Sequence, residues 1–423
     1  MAEAERCELF VIGAGMAGIA AACFAAERGV SVGLAGASGG MVYASGCLDL
    51  MAVHPRGEQR VWDDPFAAIR ALGRDAPEHP LARAGEDAAR EAMAGFLEFA
   101  AACGLDYVHG DAANTRVPTV LGTAKTTYAV PRSMHAGARA MAEKAPTLLV
   151  GFTGLKGFSP RQNAQNLRPH WPGIKTLKID FPGFADRDDY FCEQLSQSLE
   201  LGRHREALAE ALQPHVDGIA AVGLPAVLGI YRSREVLDHL QALLGVDVFE
   251  IPTMPPGIAG IRLREHLLRG LQERGVRVLS QKRVLDAARE GDGFRLRVGV
   301  FGPEAEVRAS RLVLATGRFL GRGLRAGRTR IDEPLLGLRV VQPESRTRWH
   351  DKDFLASQGH AVNRAGLEVD DRFRPLDKDG SPVPGVFAAG SVLAHQDWMR
   401  EKCGSGLALA TAYRCAQEAA QEA

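Results

Sequence analysis

The chain has 423 residues, enough for two or three domains or for one large nucleotide-binding domain carrying an insertion. Its 51 Lys and Arg balance 51 Asp and Glu, which argues against a nucleic-acid binder or a polybasic membrane anchor. Seven scattered cysteines without a Cys-x-x-Cys give neither the local spacing of a metal or iron–sulfur site nor a disulfide framework, so a reducing, cytoplasmic compartment is expected. The acidic N-terminus does not read as a signal peptide, and no apolar run is long enough to cross a bilayer. Membrane association is therefore expected only through a partner.

The first predicted strand ends at Ile12 and runs into Gly13-Ala14-Gly15-Met16-Ala17-Gly18, followed at once by an alanine-rich helix. This is the strand–turn–helix context of a G-x-G-x-x-G nucleotide site. Gly13 permits the tight turn, Gly15 lets backbone approach a pyrophosphate, and Gly18 lets helix and strand pack closely. The helix N-terminus offers N–H groups to phosphate. The bland alternative is an ordinary glycine-rich βα turn.

A second strand is expected over Val30–Ala35. An acidic residue often ends this strand and holds a ribose, but here the position falls near Gly36. Either the adenosine is held differently or a mononucleotide is bound. The following stretch, with Gly39, Gly40, Met41, Ser45 and Gly46, suggests backbone wrapped around a ligand. Amphipathic helix is expected from Asp64 to about Gly104, then a short strand over Leu105–His109.

From residue 111 to about 251 prolines and glycines punctuate short mixed segments. Strands are expected at Thr147–Phe152 and Lys175–Phe181, and a charged helical patch from Asp188 to Gln213. This reads as an inserted domain; the alternative is a loop-rich extension. Pro252–Gly260 reads as a linker and Ile261–Arg274 as a helix. A strand at Val276–Ser280, the segment around Val284, and strands at Phe294–Val300 and Glu306–Ala309 suggest a small antiparallel meander. A buried strand from Arg311 ends in Ala315-Thr316-Gly317, another ends in Gly390-Ser391, and Gly404-Ser405-Gly406-Leu407 opens a long terminal helix. The fold expected is α/β: a Rossmann-like FAD/NAD(P)-binding domain, discontinuous over 1–110 and 253–423, with an inserted α+β cap over 111–252.

The three glycine-rich motifs, in this order, resemble flavoproteins of the two-dinucleotide-binding, glutathione-reductase-like group. Ala44–Leu50, Leu121–Thr127, Pro252–Leu263, Glu333–Leu338 and Phe373-Arg374-Pro375 further resemble the family of B-type subunits of anaerobic glycerol-3-phosphate dehydrogenase. That resemblance implies a soluble flavin subunit of a three-part complex. An A-type flavoprotein subunit would oxidise the small-molecule substrate glycerol 3-phosphate to dihydroxyacetone phosphate. A C-type iron–sulfur subunit would anchor the assembly at the inner face of the cell membrane and pass electrons to quinone. The flavin would be non-covalent, since residues 36–53 contain no histidine. FMN would fit the missing acid at Gly36, whereas the retained pyrophosphate loop favours FAD. No metal site, nucleic-acid contact or direct membrane insertion is implied.

On this reading the cofactor contacts are residues 13–18, Gly39, Gly40, Met41, Ser45, Gly46, Val284, Ala315, Thr316, Gly317, Gly390, Ser391, Gly404, Gly406 and Leu407. Ser391 stands where such motifs usually carry aspartate. N–H groups at Gly404–Gly406 could face the flavin N1 and C2 carbonyl and favour negative charge; alternatively these glycines only cap the helix. For catalysis, His395 and Lys402 lie beside Asp397 and Arg400, and Arg318 follows Gly317. A histidine near a carboxylate can move a proton, but a solvated polar loop is the alternative, and Arg318 could equally lie on the surface. His54 reads as solvent-facing. Two rivals stay open: a stand-alone flavin oxidoreductase on another hydroxy acid or polyol, and a structural subunit with a vestigial site.

Overall fold

The computed structural model describes residues 5–37, 40–184 and 189–422. The chain divides into two compact units. The first comprises Met1–Gly40, Leu48–Cys103 and Leu267–Ala423; the second comprises Met41–Cys47 and Gly104–His266. The boundaries expected at residues 111 and 252 both fall inside the second unit.

The first unit is built on strand β1 (Glu5–Ile12), helix α1 (Met16–Glu27), strand β2 (Val32–Gly36), strands β3 (Arg277–Ser280), β4 (Arg283–Glu290), β5 (Gly293–Gly299), β6 (Pro303–Leu314) and β7 (Val386–Ala388), and helix α2 (Gly404–Gln421). The sheet order is β3-β2-β1-β6-β5-β4, with β7 also paired to β6. The first strands pair in parallel, whereas β4, β5 and the first part of β6 form the expected antiparallel meander. One expectation is corrected. The separate strands predicted over 306–309 and from 311 are one continuous strand, β6. Residues 305–310 alternate in burial, and 311–314 are buried throughout. The first half has one face in water; the second half is a central strand between β1 and β7, covered on both faces.

Helix α1 is buried from Ala17 to Ala25. Its alanines meet those of α2, whose buried positions include Ala408, Ala412, Ala416 and Ala419. Small side chains allow these two helices to pack closely side by side. The single amphipathic stretch expected after Asp64 is three helices: Pro65–Asp75, Pro80–Ala84 and Glu86–Ala102. Asp64 caps the first, its carboxylate accepting the N–H groups of Phe66 and Ala67. Pro80 starts the second, and Gly85 at φ 88° separates it from the third.

The second unit has a four-stranded parallel sheet, in the order Asp247–Ile251, Ala221–Pro225, Thr147–Phe152, Ile174–Ile179. Two antiparallel strand pairs complete its β-structure. The charged patch forms helices Cys192–Leu199 and Gly202–Leu212; Asp188 lies outside the described residues. Helix Ile258–Glu273 starts inside the expected linker. Its Arg262 is buried and donates to both carboxylate oxygens of buried Glu250, at 3.0 and 3.1 Å, and to the carbonyl of Gly229.

Candidate functional site

Four parallel strands of the first unit finish at one level. Ile12 pairs with both Ala35 and Leu314, and Leu314 pairs with Ala388. The three glycine-rich turns therefore emerge together at the carboxyl edge of the sheet, where open α/β folds bind ligands. Backbone bonds stitch them in place: Gly13 N–H donates to Ala35 O, Ala315 N–H to Ile12 O, and Ala389 N–H to Leu314 O, at 2.7, 2.9 and 3.0 Å.

The glycines of these turns divide by what surrounds them. A Cβ on Gly13 would lie 2.2 Å from the Ala315 carbonyl oxygen, and the residue has φ 119°. A Cβ on Gly18 would lie 1.7 Å from the Gly13 carbonyl oxygen. Both are demanded by the protein's packing on itself. A Cβ on Gly15 would meet nothing within 4 Å. The space beside Gly15 is thus open, as a bound group requires. Helix α1 starts there without a side-chain cap, and its first internal bond runs from Ile19 N–H to Gly15 O. The N–H groups of Met16, Ala17 and Gly18 precede that bond and are donors of the kind that can face an anion. Ala14 is buried.

The missing acid at Gly36 has a steric reason. A Cβ there would lie 2.3 Å from the Ala14 nitrogen, so the close approach of β2 to the first turn excludes any side chain. At the end of β6, the Thr316 hydroxyl is buried and has no hydrogen-bond partner among the described residues. A buried hydroxyl of this kind wants a polar partner, which suits a ligand. Ser391 lies beside Gly317: a Cβ on Gly317 would sit 3.7 Å from the Ser391 Oγ. Gly390 packs on α1, where a Cβ would lie 2.6 Å from that of Ala17, and its N–H donates to the Thr411 hydroxyl. Val284 is half-buried on β4 opposite Val298, beside a register shift.

Helix α2 begins after Cys403, again without a side-chain cap. Gly406 donates its N–H to Asp49 O and Leu407 donates to Cys403 O. A Cβ on Gly406 would lie 2.1 Å from the Leu50 carbonyl, and Leu407 is a core residue. These two expected contacts are accounted for by packing. The N–H groups of Gly404 and Ser405 make no backbone bond among the described residues and form the available part of this helix start. Gly40 has open space beside it, whereas Gly39 lies outside the described residues. Met41, Ser45 and Gly46 belong to the second unit. There Met41 is buried, Ser45 accepts from Lys125 Nζ at 3.2 Å, and the Gly46 carbonyl accepts from the Tyr107 hydroxyl at 2.8 Å.

The catalytic candidates do not converge as a set. The carboxylate partner of His395 is Glu368, with Nε2 2.8 Å from Oε2, and not Asp397. This hydrogen bond, with the His395 charge behind it, holds the Glu368 carboxyl below its ordinary pKa. Asp397 is buried and instead faces Asn363 Nδ2 at 3.2 Å and Arg400 Nη1 at 3.5 Å. Lys402 is exposed. Arg318 is neither a surface residue nor a free cation. Its guanidinium donates to the carbonyls of Val362 and Asn363, and burial lowers its pKa.

His395 lines an open cleft of about 800 Å³ in the first unit, with His54, Arg56, His79, Arg364 and Glu401. His54 is buried, not solvent-facing: its Nε2 lies 2.9 Å from Asp75 Oδ2. Sequence reasoning missed the buried group beneath this cleft. Glu401 lies 3.1 Å from His79 Nε2 and 3.3 Å from Arg56 Nε. Burial pushes the Glu401 pKa up, but His79, Arg56 and the Asp397 N–H together outweigh it and the net shift is downward. Cys403 lies 3.8 Å from the same carboxylate, and burial raises its thiol well above the ordinary range. His79, Glu401 and Cys403 come close enough for a metal ion. However, His79 Nδ1 accepts the Leu81 N–H at 3.1 Å, which places the ring proton on Nε2, toward Glu401, where a metal would have to bind. The group is a structural lock on the entry to α2: the Glu401 carbonyl also accepts N–H groups from Ala52 and Val53.

Residues 8–407 match the family described as FAD binding domain. The chain is 34% identical to the probable B-type subunit of anaerobic glycerol-3-phosphate dehydrogenase from Halobacterium salinarum, over 98% of each chain. The chain belongs to the family of B-type subunits of anaerobic glycerol-3-phosphate dehydrogenase. The likeness extends to the family's bacterial members. Identity is 27% with the Aliivibrio fischeri protein, over 97% of this chain and 94% of that one. It is 28% with the Vibrio cholerae protein, over 97% and 96%. The chain is an FAD-binding flavin oxidoreductase on a Rossmann-like fold, with FAD as its cofactor. The open space at Gly15, the unspent N–H groups of α1 and the orphaned Thr316 hydroxyl fit that cofactor's pyrophosphate and polar groups. No described helix is long and apolar enough to cross a membrane.

Proposed function

We propose that this chain is the B-type FAD subunit of a membrane-associated anaerobic glycerol-3-phosphate dehydrogenase complex, acting mainly as an electron relay. An A-type subunit oxidises glycerol 3-phosphate to dihydroxyacetone phosphate. This chain receives the electrons, and a C-type iron–sulfur subunit passes them to quinone at the inner face of the membrane. The names of the relatives support the complex. The observation that supports the relay is a contrast: open space and unbonded donors lie at the glycine turns where a cofactor would sit, while Arg318 is spent on backbone carbonyls and Lys402 is exposed.

FAD, when bound, supplies two-electron acceptance and one-electron release. The residues around it would bind and orient. The N–H groups of Met16, Ala17 and Gly18 would hold the pyrophosphate. The Thr316 and Ser391 hydroxyls and the Val284 backbone would give further polar contacts. The N–H groups of Gly404 and Ser405, at the positive end of α2, favour negative charge placed before them.

One observation favours a second reading, a self-sufficient oxidoreductase: His395, which is paired with Glu368, lines an open cleft of about 800 Å³. Anaerobic stopped-flow absorbance on the isolated FAD-loaded chain separates the two. The relay reading expects no bleaching with glycerol 3-phosphate until the A-type subunit is added. Rapid bleaching of the isolated chain would overturn it.

A further inference from the structure

The balanced charge of the whole chain conceals a local excess. Residues 318–364 carry ten Arg or Lys against five Asp or Glu. The acids are largely committed. Glu333 is buried and accepts backbone N–H groups, Asp332 and Glu344 are paired to arginines, and Asp351 and Asp353 accept N–H groups of their own turn. Arg322, Arg328, Lys352 and Arg364 are exposed and form no ion pair among the described residues.

The same region exposes large apolar side chains. Phe354 and Leu355 are each 81% exposed and Leu320 is 76% exposed. Trp398 and Met399 are also exposed. These lie on three segments tied by Asn363, whose carbonyl accepts from Arg318 and whose side chain donates to Asp397. The Arg400 Nε donates to the Ala356 carbonyl, which draws the 354–360 loop against residues 397–400. These contacts tie the 354–360 loop, residues 397–400 and the chain at Arg318 and Asn363 together within the first unit, and Arg322, Lys352 and Arg364 follow or precede them closely in the chain.

We propose that this face of the first unit rests directly on an anionic phospholipid surface, independently of any partner subunit. Exposed Phe, Leu and Trp side chains enter the headgroup boundary, and unpaired Arg and Lys meet lipid phosphates; each contribution alone gives only weak, reversible binding. The surplus of unpaired cations selects an anionic bilayer over a zwitterionic one.

The test is co-sedimentation of the full FAD-loaded chain with phosphatidylcholine vesicles, with and without about 30 mol% phosphatidylglycerol. Binding is expected only with phosphatidylglycerol and should weaken as salt rises from about 0.1 to about 0.5 M. The F354S/L355S chain should partition about tenfold less. R322Q/R328Q should lose about fivefold per charge. All four side chains are exposed, so both variants should keep the wild-type melting curve and flavin spectrum. No binding of the wild type to anionic vesicles, equal binding to both vesicle types, or binding unaffected by both variants overturns the proposal. Loss of complex assembly in F354S/L355S without wild-type vesicle binding would assign the face to a protein instead. Flavin absorbance of the same samples reports separately on the cofactor.

Discussion

Replacing Gly15 by leucine separates ligand binding from folding more cleanly than any other change in the site. The position is the N-cap of α1 with φ −84°, so leucine meets no backbone strain, and a Cβ there touches no protein atom. The folding cost is the lost preference of an N-cap for glycine, about 0.5–1 kcal/mol. The binding cost is larger. A leucine side chain occupies the space through which a pyrophosphate reaches the Met16 and Ala17 N–H groups. Hydrogen bonds to a charged group contribute about 1.5–3 kcal/mol each. Losing two weakens FAD binding by about 3–6 kcal/mol, roughly a hundredfold to ten-thousandfold in Kd. Gly18→Ala is the control, because its Cβ would lie 1.7 Å from the Gly13 carbonyl oxygen and the fold itself must shift. Titration of the apoprotein with FAD, followed by flavin fluorescence, and melting of the apoprotein measure both effects. Gly15→Leu should melt near the wild type and fail to bind, whereas Gly18→Ala should melt lower. A Gly15→Leu protein with wild-type FAD affinity would refute the assignment of that space to the cofactor.

Two hydroxyls at the site should behave oppositely. Thr316→Val removes an unpartnered buried hydroxyl, so the apoprotein should be no less stable while FAD binds about three- to tenfold more weakly; an unchanged Kd would remove Thr316 from the site. Thr411→Val strands the buried Gly390 N–H and should cost about 1–3 kcal/mol in chemical denaturation, with an undiminished transition counting against the bond. In the second unit, Arg262→Met leaves Glu250 buried and unpaired, at a cost of about 3–5 kcal/mol, and R262M/E250L should recover most of it; a double variant as unstable as the single one contradicts this account. The folded-state pKa of Glu368 is depressed, so its stabilising contribution is complete above the ordinary carboxylate value of about 4.3 and is lost as pH falls through the lower folded value. The stability difference between wild type and Glu368→Gln should therefore shrink on acidification below about pH 4, and urea titrations showing a constant difference would exclude an ionised Glu368–His395 pair.

Much of this architecture is legible in the residues because its signals are local. The turn after β1, the strand Thr147–Phe152 and the opening of α2 each announce themselves within a few positions. What is not legible depends on partners far apart in the chain. His79 and Glu401 are separated by 322 positions, and nothing near either marks the other. His395 has Asp397 two positions away, yet the backbone at φ 66° turns its ring to Glu368. The continuity of β6 was hidden because its alternating and fully buried halves mimic two elements.

The sequence by itself determined that a glycine-rich strand–turn–helix of the nucleotide-binding kind follows the first strand and that two further glycine motifs follow in the order of a flavoprotein. Glycine makes this readable, since absence of a Cβ is a property of one residue and its turn. Only the tertiary structure decided what each glycine is for. Gly13, Gly18, Gly36 and Gly406 yield to neighbouring protein backbone, whereas Gly15 faces open space. That distinction rests on the register Ala35–Ile12–Leu314–Ala388, which brings strands from across the chain to one level, and no local pattern encodes it.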